Sequence, residues 1–415
     1  MPLSISYRLR PSTSRLKEEF DMTRRSVVVM PGDGIGKVVL PEAQRVLEAA
    51  GFEGDWISAG IGWEHWVEEG NPLPERTVEL IAEHKVALFG AITSKPKDKA
   101  AAEIRDDLKD KGHVYYSPIV GLRQRFDLDV SIRPCIAFPG NPLNFIRRGA
   151  DGGAEEPRVN TVVFRQNTEG LYGGVEWTDP PDQVWDALDT HPRFAAFRDV
   201  PREDLAVSTR IFTRDKCRRI CEEAFAYAAA HGYSSVTVCE KPNVIRETSG
   251  MMLAEGRKAQ KAHPDIPLWD TNIDAQMMWL TKNPEDYGVV VAGNMFGDII
   301  SDGFAGLVGG LGFAASANIG REVGVFEPTH GSAPKYADLS PSIVNPTAMI
   351  LSAVMMLDWL GETEVATRVR GAVAAVIADG AVRTYDMLKL RGGPQAIAQG
   401  AATTEQMTDA IIEAL

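Results

Sequence analysis

Short runs of Val and Ile alternate with longer helix-compatible stretches along the chain, and that rhythm leaves an α/β fold as the architecture able to bury them all. SVVVMPG (26–32) reads as a buried strand, and KVVLPEAQRVLEAAG (37–51) as the following helix, closed by Gly51. VALFGA (86–91), VNTVVFR (159–165), SVTVCEK (235–241), YGVVVAGN (287–294) and VGVFEP (323–328) supply further strands. Helices are expected over TRDKCRRICEEAFAYAAAHG (213–232) and NPTAMILSAVMMLDWLG (345–361), the latter with Asn345 as N-cap and Pro346 at the first helical position. A length of 415 residues fits about two domains. No repeat or long linker separates them, so a second domain would be intertwined with the first. Two stretches break the rhythm. The charged run 95–112 reads as a solvated surface helix or loop, and 173–204, rich in Pro, Asp and Trp, as an irregular excursion or an intersubunit arm.

Acidic residues (57 Asp and Glu) outnumber basic ones (44 Lys and Arg), for a net charge of −13. Such a chain repels phosphate backbones and anionic lipid, which argues against nucleic acid and membrane surfaces as partners. An anionic substrate would then need a local concentration of cations. No apolar run reaches the roughly 18 residues of a membrane span; the best, 346–357, is followed at once by Asp358. Four cysteines without a CxxC pair read as buried reduced thiols, with Cys217 and Cys221 on one helix, and place the protein in the cytoplasm. Residues 1–21 have no apolar signal core and carry Glu18, Glu19 and Asp21. They read as a disordered tail, or as sequence upstream of a true start at Met22.

Several motifs could carry chemistry. PGDGIGKVV follows a strand and opens a helix, yet Lys37 stands where a dinucleotide fingerprint needs its third glycine; a tight turn explains Gly32 and Gly34 equally well. In GNMFGDIISDG, Asp298 and Asp302 are four apart and so share a helix face. Their mutual repulsion would be removed by a hard cation such as Mg²⁺ or Mn²⁺, or else the face is simply solvated. Arg123, Arg133 and Arg165 lie in apolar or strand-like surroundings, either as separate salt bridges or together as a polycarboxylate site. Tyr172 lies just beyond Arg165, beside glycines that permit close approach, and Lys241 lies at a strand's end. Taken alone, one would be a packed aromatic and the other a surface charge. FEPTHGSAPKYAD (326–338), with His330, Lys335 and Tyr336, could cradle a phosphate through its amides and Lys335.

In this order, GDGIG, RQRFDLDVSIRP, FRQNTEGLYGGVEW, KPN, GNMFGDIISD and EPTHGSAPKYA resemble the β-decarboxylating dehydrogenases, the family of isocitrate and 3-isopropylmalate dehydrogenases, from about residue 26 to 415. The resemblance implies two intertwined α/β domains that are not Rossmann domains, in a homodimer. Residues 26–128 and 309–415 would form the large domain, 129–169 and 214–308 the small one, and 170–213 a clasp, with 1–25 as a tail. It further implies that Arg123, Arg133, Arg165 and Ser117 bind a hydroxy polycarboxylate. Asp298 and Asp302, with Asp274, would hold Mg²⁺ or Mn²⁺. Lys241 would take the hydroxyl proton and Tyr172 would protonate carbon after CO₂ loss, with Lys241 and Asp274 reaching in from the neighbouring subunit.

Within the family, Ser117 matches isocitrate dehydrogenases, whereas Ile119 replaces the Asn they usually carry, and the 95–112 insert could form an atypical lid. Ser117 also matches a serine that some relatives phosphorylate, where a phosphate would repel a substrate anion. Lys335, Tyr336 and Tyr385 match the contacts of NADP-using enzymes to the 2′-phosphate, with Lys389 in place of Arg. By the same resemblance Thr93, Asn243, His330, Gly331, Ser332, Ala333 and Asn345 would complete the cofactor site. The expected activity is NADP-dependent isocitrate dehydrogenase in the tricarboxylic acid cycle. A homoisocitrate or 3-isopropylmalate dehydrogenase using NAD is the alternative. A noncatalytic regulatory subunit is disfavoured, because Tyr172, Lys241, Asp274, Asp298 and Asp302 are all present.

Overall fold

A computed structural model describes residues 25–415, and within it every expected strand joins one ten-stranded sheet. Across the sheet the strands run Leu268–Asn272, Val236–Glu240, Val289–Ala292, Asn160–Gln166, Val130–Ile136, Ala315–Ile319, Gly324–Pro328, Val86–Ala91, Arg25–Gly32 and Gly54–Ser58. The first four are mutually parallel, as are the last four. Val130–Ile136 and Ala315–Ile319 join these two wings through antiparallel pairings on every side. The wings therefore point in opposite directions. The expectations for residues 1–24, including a start at Met22, lie outside the described residues.

Strands buried on both faces read as unbroken apolar runs, which is why Val86–Ala91 and Val289–Ala292, buried at every position, were legible. Four strands of the sheet were not, among them Val130–Ile136, whose apolar run is interrupted by Arg133 and Pro134. Gly54–Ser58 and Leu268–Asn272 are half-exposed edges, and Ala315–Ile319 (ASANI) is buried throughout but composed largely of weak strand formers, so tertiary pairing overrides propensity. The central helix Thr347–Leu360 is apolar on nearly every side because it packs on the sheet and on the helices Gly36–Ala49 and Thr363–Asp379. Its start corrects the expectation of an Asn345 cap. Pro346 occupies the cap position, and the Asn345 Oδ1 accepts from the Thr347 amide at 3.0 Å. No helix of the described residues is long and apolar enough to cross a membrane, and all four cysteines are buried free thiols.

The 95–112 run is not simply solvated. It forms a helix, Lys97–Glu103, and a turn at Asp106–Leu108, and it buries Ala100, Ile104 and Leu108 against Trp66. The Trp66 Nε1 donates to the Ala100 carbonyl at 2.9 Å, and the Arg105 amide to the Val67 carbonyl at 3.0 Å. Three apolar side chains spaced four apart were hidden among the charges. Residues 173–208 form an arm with a two-stranded ribbon, Glu176–Thr178 with Ala206–Ser208, in which Pro180 alone is buried.

The turn after the first strand is sterically closed. Gly34 has φ +54°, and a Cβ there would lie 2.1 Å from the Ser332 carbonyl oxygen. Gly34→Ala should therefore destabilise the protein by at least about 2 kcal/mol in urea unfolding, left-handed strain and backbone clash acting together. Gly371→Ala, in an open helical position, should instead stabilise by up to about 1 kcal/mol.

Candidate active site

One row of side chains crosses the centre of the sheet on a single face. Ser316 pairs with Glu327, and Arg133 follows Ile132, which pairs with Ala317. Ser316, Glu327 and Arg133, with Phe89, floor a cleft of about 640 Å³ whose walls carry Thr93, Ser94, Lys95, Ser117, Arg123 and the loop Thr329–Ser332. The antiparallel centre is what delivers Arg133 and Arg165 together, since Arg133 pairs across to Val163, two positions before Arg165.

Three buried or nearly buried arginines surround this floor. Arg123, in the last turn of Pro118–Arg125, donates to Glu327 at 3.1 Å and to Asn318 at 3.2 Å. Arg133 donates to the Asp298 Oδ1 at 3.0 Å and to the Ser301 hydroxyl at 2.8 Å, while its Nε is buried without a partner. Arg165 forks onto the Asn294 Oδ1 at 2.8 and 3.0 Å and reaches the same Asp298 oxygen. Two buried guanidiniums thus share one carboxylate oxygen. Burial, with Arg133 beside it, pushes the Arg165 guanidinium down to about 9, leaving it charged at neutral pH but under-compensated. Burial likewise lowers Arg123.

Asp298 and Asp302 stand on one face of the helix Asn294–Leu307. Tyr172 donates to the Asp298 Oδ2 at 3.3 Å, and its ring lies 5.5 Å from the Arg165 guanidinium. Burial and the Asp298 charge raise the Tyr172 phenol, so it keeps its proton at neutral pH. Asp302 is mostly exposed and meets Arg133 at 3.7 Å; partial burial raises its carboxyl. Lys241 and Asp274 lie just past the ends of the two outermost strands of this wing, where they pair with each other and not with Asp298. The lysine holds the Asp274 carboxyl below its ordinary range. Among the described residues, no three His, Cys, Asp or Glu side chains of the single chain converge on one metal position. The chemistry of Asp298 and Asp302 suits a hard cation, to which this chain would offer two carboxylates, with further ligands needed from elsewhere.

The expected cofactor residues fall in three places. Ser332 and Thr93 share a hydroxyl hydrogen bond of 2.6 Å at the cleft wall, beside His330, whose buried Nε2 has no partner and whose pKa burial lowers. Gly331 has open space where a Cβ would be, Ala333 adopts φ +37°, and between them the Ser332 carbonyl accepts from the Ile35 amide at 2.8 Å. Beyond it the Lys335 ammonium lies 4.6 Å over the Tyr336 ring, and Tyr336 meets Tyr385 at 5.5 Å, with exposed Lys389 on the same segment as Tyr385. Asn345 is buried, with both amide ends engaged, by Asp386 and by the Thr347 amide. Asn243 is exposed in the turn after Lys241, on the other wing.

The isocitrate/isopropylmalate dehydrogenase profile matches residues 26–411. The chain belongs to this family. It is 36% identical to the isocitrate/homoisocitrate dehydrogenase of Thermus thermophilus, over 94% of this chain and 98% of that protein. It is also 36% identical to protein DlpA of Legionella pneumophila, covering 93% of this chain but 58% of DlpA's length. The crystal structure of isocitrate dehydrogenase from Methylococcus capsulatus superposes with a TM-score of 0.76 at 35% identity, over 94% of this chain and 99% of that one.

Members of the isocitrate/isopropylmalate dehydrogenase family act on hydroxy polycarboxylates with a divalent metal and a nicotinamide cofactor. Sequence reasoning missed the groups that hold the arginines in place. Glu327, Asn318, Asn294 and Ser301 are all buried. A signal for Glu327 existed: a carboxylate within the buried strand GVFEP requires a cation partner. Because Asp298 neutralises two guanidiniums, Asp298→Asn should cost about 3 kcal/mol in urea unfolding. Asp302→Asn, on the exposed side, should change stability by under about 1 kcal/mol.

Proposed function

We propose that the protein is an isocitrate dehydrogenase that oxidatively decarboxylates isocitrate to 2-oxoglutarate and CO₂, with NADP as acceptor. The observation that carries this reading is the buried set Arg123, Arg133 and Arg165, two of which share Asp298 while the Arg133 Nε stays unpartnered. A buried guanidinium donor without a partner is costly unless an acceptor completes it, and planar guanidiniums match carboxylates. Ser117, on the cleft wall, supports a substrate with a further polar substituent.

When bound, Mg²⁺ or Mn²⁺ would polarise the substrate's hydroxyl and carboxylate oxygens, and the nicotinamide would accept hydride. The chain's own residues do the rest. The three arginines hold and orient the carboxylates. Lys241, released from Asp274 as the neutral amine, takes the hydroxyl proton, and Tyr172, kept protonated beside Asp298, gives a proton to the carbon left by CO₂. Asp298 and Asp302 are the metal ligands of one chain, and Asp274, paired with Lys241, is the third from a second chain.

A homodimer follows from that division of the site. The exposed arm at 173–208 and the exposed Trp269, Met278, Trp279 and Ile299 support it. Residues 26–128 with 309–415, and 129–169 with 214–308, are proposed as its large and small domains. Lys335, Tyr336, Tyr385 and Lys389, a cationic and aromatic cluster, support NADP. Four buried free thiols support a reducing, cytoplasmic setting.

The test is the initial rate of NADP and NAD reduction with Mg²⁺ and isocitrate, homoisocitrate or 3-isopropylmalate. Isocitrate with NADP should give the highest kcat/KM; a higher value with another acid or with NAD would contradict the assignment. Tyr172→Phe should lower kcat by a factor on the order of 10²–10⁴ while leaving substrate binding intact. The double change Lys335→Asp and Tyr336→Ile should shift preference toward NAD.

A further inference from the structure

Among the residues lining the cleft, one cation has no part in the site described so far. Lys95 leaves the sheet just after Thr93 and Ser94, with its ammonium 4.6 Å from the centroid of the Trp63 ring and 2.5 Å from the Glu103 carboxylate. Glu103 also accepts from the Trp63 Nε1 at 3.0 Å. The cleft's other lysine-or-arginine cations are committed differently. Arg123 and Arg133 are tied to Glu327 and Asp298 with side chains 11% and 8% exposed. Lys95 is 33% exposed and its counter-ion Glu103 is 42% exposed, so that pair is cheap to exchange.

What such a cation would serve is set by the residues that line the same cleft. Ile119 is 8% exposed, packed with Met30, Phe89 and Leu122 in the core. It offers no hydrogen bond to a substituent beyond Ser117. A carboxylate placed there would face Ser117, Ser94 and apolar side chains, with Lys95 as the cation at hand. Glu103 ends the helix Lys97–Glu103, which is fixed to the helix Trp63–Glu69 through Trp66, while Lys95 lies in the loop before it on a flexible stem of its own.

We propose that Lys95 is a specificity-determining residue that leaves Glu103 to bind the distal carboxylate of a tricarboxylate substrate, the role Ile119 cannot perform. This rests on the reading of the cleft as a hydroxy-acid site. A dicarboxylate with an apolar branch at that position makes no use of Lys95.

The test compares wild type, Lys95→Met, Lys95→Arg and Glu103→Gln, as the full-length protein with Mg²⁺. The substrates are isocitrate and 3-isopropylmalate, read as kcat/KM or, where turnover is too slow, as competitive Ki. Lys95→Met should lower the isocitrate value about tenfold or more, the scale of one charge-assisted contact. It should leave 3-isopropylmalate and the cofactor KM within about threefold. Lys95→Arg should recover most of the loss, and Glu103→Gln should match or exceed wild type on isocitrate. Equal losses on both acids, or a loss confined to cofactor KM, overturn the assignment. If wild type uses isocitrate and Lys95→Met does so equally well, the Lys95 assignment alone falls. If wild type binds and turns over no tricarboxylate, the isocitrate reading falls with it.

Discussion

Two buried guanidiniums on one carboxylate oxygen are the constraint around which the rest of the molecule is arranged. Arg133 and Arg165 come from adjacent antiparallel strands, and Asp298 comes from the helix that follows Val289–Ala292. Separate any of the three and a charge is left buried without a partner, which costs several kcal/mol. The antiparallel centre of an otherwise parallel sheet makes the meeting possible, because it turns the two wings in opposite senses and leaves a cleft across the join. Asn294, Ser301, Asn318 and Glu327 accept from further guanidinium nitrogens, while the buried Arg133 Nε has no partner. An anion arriving in the cleft completes a network that the protein alone leaves one partner short.

The same arrangement bears on the proposed homodimer. Asp298 and Asp302 offer two carboxylates on one helix face, whereas Lys241 and Asp274 sit together at the sheet's edge and neutralise each other. The exposed arm and the exposed aromatic residues of the same wing form a surface suited to a second copy. In the proposed homodimer, a site divided between subunits would couple assembly to activity, since neither half alone would offer the metal a full ligand set.

Much of this was legible in the residues, for physical reasons that differ from element to element. Strands buried on both faces appear as apolar runs, and a glycine closing a helix, as at Gly232 with φ +70°, marks an end. The aspartates of GDIISD and the three arginines stood out because charged groups in apolar surroundings need partners. Ala315–Ile319 did not stand out, because its strand character comes from its neighbours and not from Ala, Ser and Asn. The docked insert at 95–112 was masked by its charges, although Ala100, Ile104 and Leu108 carry a helical spacing that fits Trp66. The pairing of Lys241 with Asp274 depends on sheet order, which no local pattern encodes.

The central claim is that the arginine cluster around Asp298 is the carboxylate site. A crystal structure of the protein with Mg²⁺ and isocitrate tests it most directly. Substrate carboxylate oxygens should lie within hydrogen-bond distance of Arg123, Arg133 and Arg165, with one of them reaching the unpartnered Arg133 Nε. Isocitrate bound elsewhere, with Arg133 and Arg165 still both closed on Asp298 and the Arg133 Nε unpaired, would contradict the account.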